Sequence, residues 1–454
     1  MKNIDTVFSP AALADVLHRL GLSSATPLTV AFSGGLDSCV LLHGLCRLRE
    51  PLALTLRAVH VDHGLHAHSS DWARQAQQTC ARLNIPCTVE RVDVTHIRGH
   101  GLEDAARRAR YACLARRVGP GEVLLTAHQA DDQAETVLLQ LLRGTGVHGL
   151  AAMPAVTPFH QGRLARPLLD FTREQLAAWA RQENLQWIDD TSNQDLRFSR
   201  NYLRQQVFPL LEAHWPEASR RIARSAGMAA EAAELLDELA QADWNGCRGV
   251  EQAQLSVRAL RGLPPPRRRN LVRYWLRRQG FLTPTAMHLD QVLAQVMRDP
   301  QSNRAVICWP GAEVCRYRDE LMVRKPHDEM DSRWRTGWNL PDALEIPGVG
   351  WLRAEPVRGD GLSQERIERV PLTVALRQGG EICRLPGRAH HHKLKKLLQE
   401  AGIPPWERKR LPLVYVNGEL AAIGDRWVCE PYAARANEPG WKLRLEPLPG
   451  NLLK

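Results

Sequence analysis

The stretch VAFSGGLDSCVLLHGL (residues 30–45) decides how this chain is read. An apolar, β-branched run ends at Phe32, a serine and two glycines follow, and an apolar run of helical period resumes within three residues. That change of period across a Ser-Gly-Gly turn predicts a buried strand feeding a helix. Glycines at 34 and 35 let main-chain N–H groups face outward without Cβ obstruction, and the positive end of a helix starting near Ser38 points the same way. Ser33, Gly34, Gly35, Leu36, Asp37 and Ser38 are therefore a candidate anion cradle. Neither GxxxxGK[ST] nor GxGxxG occurs here, so no loop lysine accompanies the glycines.

Outward from this turn the pattern repeats. LTVAF (28–32), LRAVHV (56–61), CTVERVDV (87–94) and EVLLTAH (122–128) read as strands, each followed by a stretch of helical period, over about 38–48, 70–84, 102–118 and 131–144. Strands alternating with helices at this spacing predict a doubly wound α/β domain with a parallel sheet covered on both faces. Gly and Pro thicken over 144–167, and helices return over 172–185 and 199–215. We expect this domain to span residues 1–216, a helical domain 217–330, and a small α+β domain 331–454, where short strands surround one basic helix, HHHKLKKLLQEAG (390–402).

The chain has 454 residues, 44% of them hydrophobic, with no apolar stretch near the roughly 18 residues of a membrane span and no apolar core in MKNIDTVFSP. A cytoplasmic enzyme is the expectation. Ten cysteines without a C-x-x-C pair argue against a zinc ribbon or a thiolate cluster. The net charge of +10 is uneven, with 15 Lys/Arg against 14 Asp/Glu in residues 1–150 and 45 against 36 beyond. The excess basicity lies in the later two-thirds, which favours a nucleic-acid partner.

In an open α/β sheet, ligands sit beyond the carboxyl ends of the strands. VHVDHGLHAHS (59–69) puts His60, Asp62 and His63 there, and EDAARRARYACLARR (103–117) puts Arg107 and Arg110 one turn apart on a helix. AHQADDQAETVLLQLLRGTG (127–146) carries Asp131, Asp132 and Glu135 at one helix edge, where Asp132 and Glu135 also read as a capping box. DDTSNQDLRFSRNYLRQQVFPLL (189–211) joins an Asx/Ser turn to a helix with Arg200 and Arg204 on one face.

SGGLDS resembles the SGGxDS signature of the PP-loop ATP pyrophosphatases. HVDHG, HQADDQAET, LLRGTG, RPLL (166–169) and DTSN followed by RNYLR, in that order, resemble one branch of it, the tRNA(Ile)-lysidine synthetases. LRQGGEICRLPG (376–387) and KLKKLLQEAGIPPWERKRLPLVY (393–415) look like that family's C-terminal domain. The resemblance implies a two-step reaction. The C2 carbonyl oxygen of the wobble cytidine of a CAU-anticodon isoleucine tRNA attacks the α-phosphate of ATP and expels pyrophosphate. Free lysine then attacks C2 and AMP departs.

It further implies ATP contacts from Ser33–Ser38, His60, Asp62 and His63, and catalytic roles for Asp37, Arg107 or Arg110, Asp131, Asp132 and Glu135. His66 departs from the arginine common at its position in related proteins. Because acids beside a triphosphate repel it without a cation between, Mg²⁺ is expected, with Asp37 and Asp131 as ligands. Arg200, Arg204, Arg267, Arg268, Arg269, Lys393, Lys395 and Lys396 are the expected tRNA contacts, and a homodimer is allowed for. The competing readings are a tRNA thiolase, a metabolic ligase of the same superfamily, and a nucleotide-sensing RNA-binding factor without turnover.

Overall fold

The computed structural model describes residues 7–23, 25–62, 64, 68–92, 102–189, 194–250, 253–297, 306–326, 330–331, 333–388 and 390–447. They form two compact units, Met1–Leu236 and Asp237–Lys454.

In the first unit the β-branched runs become β1 (Leu28–Ala31), β2 (Leu56–Asp62), β3 (Cys87–Arg91) and β4 (Val123–Leu125), joined by β5 (Val156–Phe159) and β6 (Gly162–Ala165) in one six-stranded sheet of order β3-β2-β1-β4-β6-β5. β1 pairs in parallel with both β2 and β4, β2 with β3, and β4 with β6. The strand order reverses direction beside β1, the arrangement that opens a crevice at the strands' carboxyl ends. The expected parallel sheet is there, with an addition: β5 and β6 form an antiparallel hairpin at its edge. Pro158 and a turn through His160 at φ +51° masked those strands as loop.

Helices α1 (Pro10–Arg19), α2 (Leu36–Leu48), α3 (Ser69–Arg82), α4 (Leu102–Ala115), α5 (Ala130–Leu142), α6 (Val147–Leu150) and α7 (Arg173–Gln182) accompany the sheet. α2 is buried along most of its length because Val40, Leu41, Leu42 and Leu45 pack into the same core as Leu28 and Val30 of β1, with Phe8, Phe171 and Trp179 from flanking segments. That core fixes where α2 begins, and so where the glycine turn sits. The expected helix over 199–215 is interrupted: α8 (Ser199–Tyr202) runs into a π turn at Leu203–Val207 before α9 (Phe208–His214).

The division between the units falls within α10 (Ala218–Cys247). In the second unit, α11 (Val257–Gly262), α12 (Pro265–Arg278) and α13 (Ala286–Met297) share a core around Trp275 with a four-stranded antiparallel sheet, Leu255–Ser256, Glu320–Arg324, Ala312–Tyr317 and Val306–Trp309 in spatial order. After it come a five-stranded and a four-stranded sheet and the basic helix Leu394–Glu400. All ten cysteines are free thiols. Among the described residues no helix is long and apolar enough to cross a membrane.

Candidate active site

The glycine turn closes on itself. Gly34 adopts φ +85°, a region that glycine enters without strain, and a Cβ there would lie 2.5 Å from Ile188 Cδ1. Its N–H donates to Ser38 Oγ at 3.1 Å, Ser38 Oγ donates to the Gly35 carbonyl at 2.9 Å, and the Ser33 and Ser38 hydroxyls lie 3.1 Å apart. Gly35 is the N-cap of α2 and supplies no side chain, so the first-turn N–H groups of the helix remain available to an anion. Ile188 N–H donates to the Gly34 carbonyl at 2.9 Å and pins the turn from the other side.

The turn opens into a cavity of about 730 Å³ lined by Ser33, Gly35, Leu36, Asp37, Ser38, His60, Asp62, Arg110, His128, Arg173, Trp187 and Arg204, among others. His60 Nδ1 lies 2.9 Å from the Phe32 carbonyl oxygen, and burial depresses its proton affinity, so the ring is neutral. Asp62 is buried and accepts the Gly64 N–H at 2.9 Å. These two shape the strand end. His63 and His66, like Asp190–Asn193 of the DTSN run, lie outside the described residues.

Asp37 stands in the first turn of α2. Burial, then the neighbouring Asp132, lifts its carboxyl to about 6 against the attraction of Arg173 and Arg204, and its Oδ1 is buried with no hydrogen-bond partner. α5 begins beside it. The expected capping box at Asp132 and Glu135 is not the one formed, because the helix starts earlier, at Ala130. Gln129 is the N-cap: its side-chain oxygen accepts the Asp131 N–H at 2.6 Å while Asp132 Oδ2 accepts the Gln129 N–H at 3.1 Å.

This leaves Glu135 for another task. It is 1% exposed, and Arg204 Nε donates to its Oε1 at 2.8 Å, with Arg200 Nη1 3.5 Å from its Oε2. Arg204 also donates to Asp132 Oδ1 at 3.2 Å. Burial outweighs these guanidiniums and raises Glu135 to about 7. Asp131 accepts the Arg173 main-chain N–H at 2.8 Å, and burial raises its carboxyl above the usual range. Asp131, Asp132 and Glu135 thus stand behind the cavity wall rather than on it, and Arg204, paired with Asp132 and Glu135, is what faces the cavity in front of them. Arg107 and Arg110 both lie over the Tyr111 ring, at 5.0 and 5.6 Å, but of the two Arg110 lines the cavity.

Sequence reasoning missed His128, Arg173 and Trp187. His128 Nδ1 sits 2.9 Å from Thr126 Oγ1, and burial lowers its proton affinity to about 4, so it is neutral. Arg173 is the first residue of α7, inside its Thr172–Gln175 capping box, a T-x-x-Q signal present in the sequence that marks where the helix begins.

Residues 9–211 match the PP-loop domain family, residues 255–322 the TilS substrate binding domain and residues 372–445 the TilS substrate C-terminal domain. A tRNA(Ile)-lysidine synthase of Alkalilimnicola ehrlichii is 45% identical over 96% of this chain and 97% of its own length. The chain belongs to the tRNA(Ile)-lysidine synthase family. Its relative in Coxiella burnetii is 39% identical over 98% of both chains, and that in Methylococcus capsulatus 38% over 91% of this chain and 95% of its own. Membership removes the thiolase, the metabolic ligase and the non-catalytic factor as readings of this site.

The basic residues expected to meet tRNA in this family divide by environment. Lys393, Lys395 and Lys396 are exposed. Arg267 pairs with Asp243 and Arg269 with Asp290. Arg268 is buried and donates to the carbonyls of Leu260, Arg261 and Leu263, closing the end of α11. Its guanidinium is committed inside the fold and does not present itself to a phosphate. Arg200 and Arg204 serve Glu135.

Proposed function

We propose that this chain joins free lysine to C2 of the wobble cytidine of an isoleucine tRNA with a CAU anticodon, consuming ATP and releasing pyrophosphate and AMP. The observation that carries this reading is the Ser33–Ser38 cradle opening, with Asp37 and Arg110, onto a single cavity lined also by aromatic rings. The cradle's amides and hydroxyls bind the leaving pyrophosphate. Arg110, which lines the same cavity, meets the α-phosphate, whose charge grows as the cytosine O2–phosphorus bond forms and the bond to the β-phosphate oxygen breaks. Trp72 and Trp187 supply faces for an unstacked base. In the second step the lysine amine, losing its proton, attacks C2 and AMP leaves with the electron pair. Lysine's ammonium is held toward the edge where Asp37 lines the cavity and Asp131 and Asp132 add negative charge from behind it.

The residues fit Mg²⁺. Asp37 Oδ1 is buried without a partner and has two further carboxylates close by. Among the described residues no three His, Cys, Asp or Glu form a ready metal set. An ion held by one or two carboxylates plus phosphate oxygens does not require one. Asp37 would hold it, with Asp131 adding negative charge from behind the cavity wall, and when bound it neutralises charge on the departing pyrophosphate. The exposed Lys393, Lys395 and Lys396, with Arg267 and Arg269, place tRNA through its phosphates.

The test is incorporation of labelled lysine into transcripts that differ only at the wobble base, with pyrophosphate measured alongside. Incorporation is expected only with cytidine, and pyrophosphate release only with tRNA present. Asp37→Ala should lower both by about a thousandfold. Pyrophosphate release by wild-type protein that needs neither tRNA nor lysine would refute the proposal.

A further inference from the structure

The cradle lacks the lysine with which other phosphate loops meet a triphosphate, and the cavity's arginines show where the missing charge lies. Arg204 is bound to Glu135 and Asp132, Arg197 to Asp195, and Arg110 lies over Tyr111. Arg173 also lines the cavity, and among the described residues its guanidinium has no such partner.

Its position is nevertheless fixed. The Arg173 N–H donates to Asp131 Oδ2 at 2.8 Å, and the Ala130 N–H donates to the Phe171 carbonyl at 2.8 Å, so the start of α7 is stitched to the start of α5 by one side-chain and one main-chain bond. The Thr172–Gln175 box holds the same turn. The guanidinium is near enough to Asp37 to be among the charges that lower its proton affinity, and the two residues line the same cavity as Ser33, Gly35 and Ser38.

We propose that Arg173 is a catalytic residue of the first half-reaction, its guanidinium donating hydrogen bonds to the β- and γ-phosphate oxygens of ATP and to the pyrophosphate they become. The inference rests on the proposed reading of the cradle and adds to it: α7 delivers from another part of the chain the charge that SGGLDS omits. As the α-phosphate transfers to the cytosine O2, the β-phosphate oxygen departs with the bonding electron pair, and Arg173 stays protonated throughout.

The test titrates pyrophosphate, ATP and AMP separately, each with Mg²⁺, against the full chain and its Arg173→Ala, Arg173→Gln and Arg173→Lys variants. Removing the charge should weaken pyrophosphate and ATP by about tenfold to a hundredfold, the range of a charge-assisted hydrogen bond, and leave AMP unchanged. Arg173→Lys should recover part of the loss. Pyrophosphate and ATP binding at wild-type strength in both uncharged variants would overturn the inference. So would a rise confined to the KM for lysine, which would assign Arg173 to the amino acid's carboxylate. If Arg173→Ala also lost AMP, the isosterically closer Arg173→Gln decides by the same comparison. Wild-type protein that bound neither ATP nor pyrophosphate would instead remove the reading of the cradle itself.

Discussion

Glu135→Gln separates the cost of burying this carboxylate from the benefit of its arginine partners. Glu135 is 1% exposed and is pushed to about 7 from 4.5, chiefly by burial. The folded protein keeps this proton to a higher pH than the unfolded chain does. The resulting stability is fully present below about 4.5 and is lost as pH rises through 7. At about 1.4 kcal/mol per pH unit, that interval is worth roughly 3 kcal/mol. Glutamine occupies the same volume and carries no titrating proton, and the pull of Arg204 on the ionised carboxylate is already contained in the shifted value. The stability difference between variant and wild type should therefore move by roughly 3 kcal/mol in the variant's favour from about pH 4.5 to about pH 8. Urea unfolding across that range, followed through the tryptophans of the first unit, measures it. A difference that stays flat would refute the account of Glu135 as a carboxylate held against its hydration.

Gly34→Ala adds a Cβ at φ +85° and 2.5 Å from Ile188 Cδ1, so it should cost about 1–3 kcal/mol of local stability and depress ATP binding; calorimetry and nucleotide titration read both. Replacing Lys393, Lys395 and Lys396 together by Ala should flatten the salt dependence of tRNA binding by up to about three in its log–log slope. Arg268→Ala should leave that slope alone and lower the melting temperature, since three buried carbonyls lose their donor. The reverse pattern between the two variants would place the tRNA surface on α12 instead.

Local signals made much of this legible. β1, the glycine turn and α2 are contiguous, so period and glycine placement were enough, and the parallel order followed from repeated strand-then-helix spacing. What escaped depended on distant partners. Nothing near Glu135 announces Arg204, 69 residues on, as the group that meets it. The cap of α5 was misplaced by three residues because Asp132 is a plausible starting residue, while Gln129 is less commonly one. Arg268 sat in a run of three arginines and was read for its charge. Its spacing to Leu271, Val272 and Trp275, all buried, already marked the inward face of the helix.

The π turn at Leu203–Val207 marks where this segment can change in length. A turn closed five residues along accommodates one residue more than its α counterpart. Excising one of these five would let an ordinary α turn close in its place with Phe208 and Leu211 still facing the cluster they fill with Ala134 and Leu203, whereas the same deletion in the regular helix on either side would swing them by about 100°. A residue can be lost at this turn without repacking, and nowhere else along the segment.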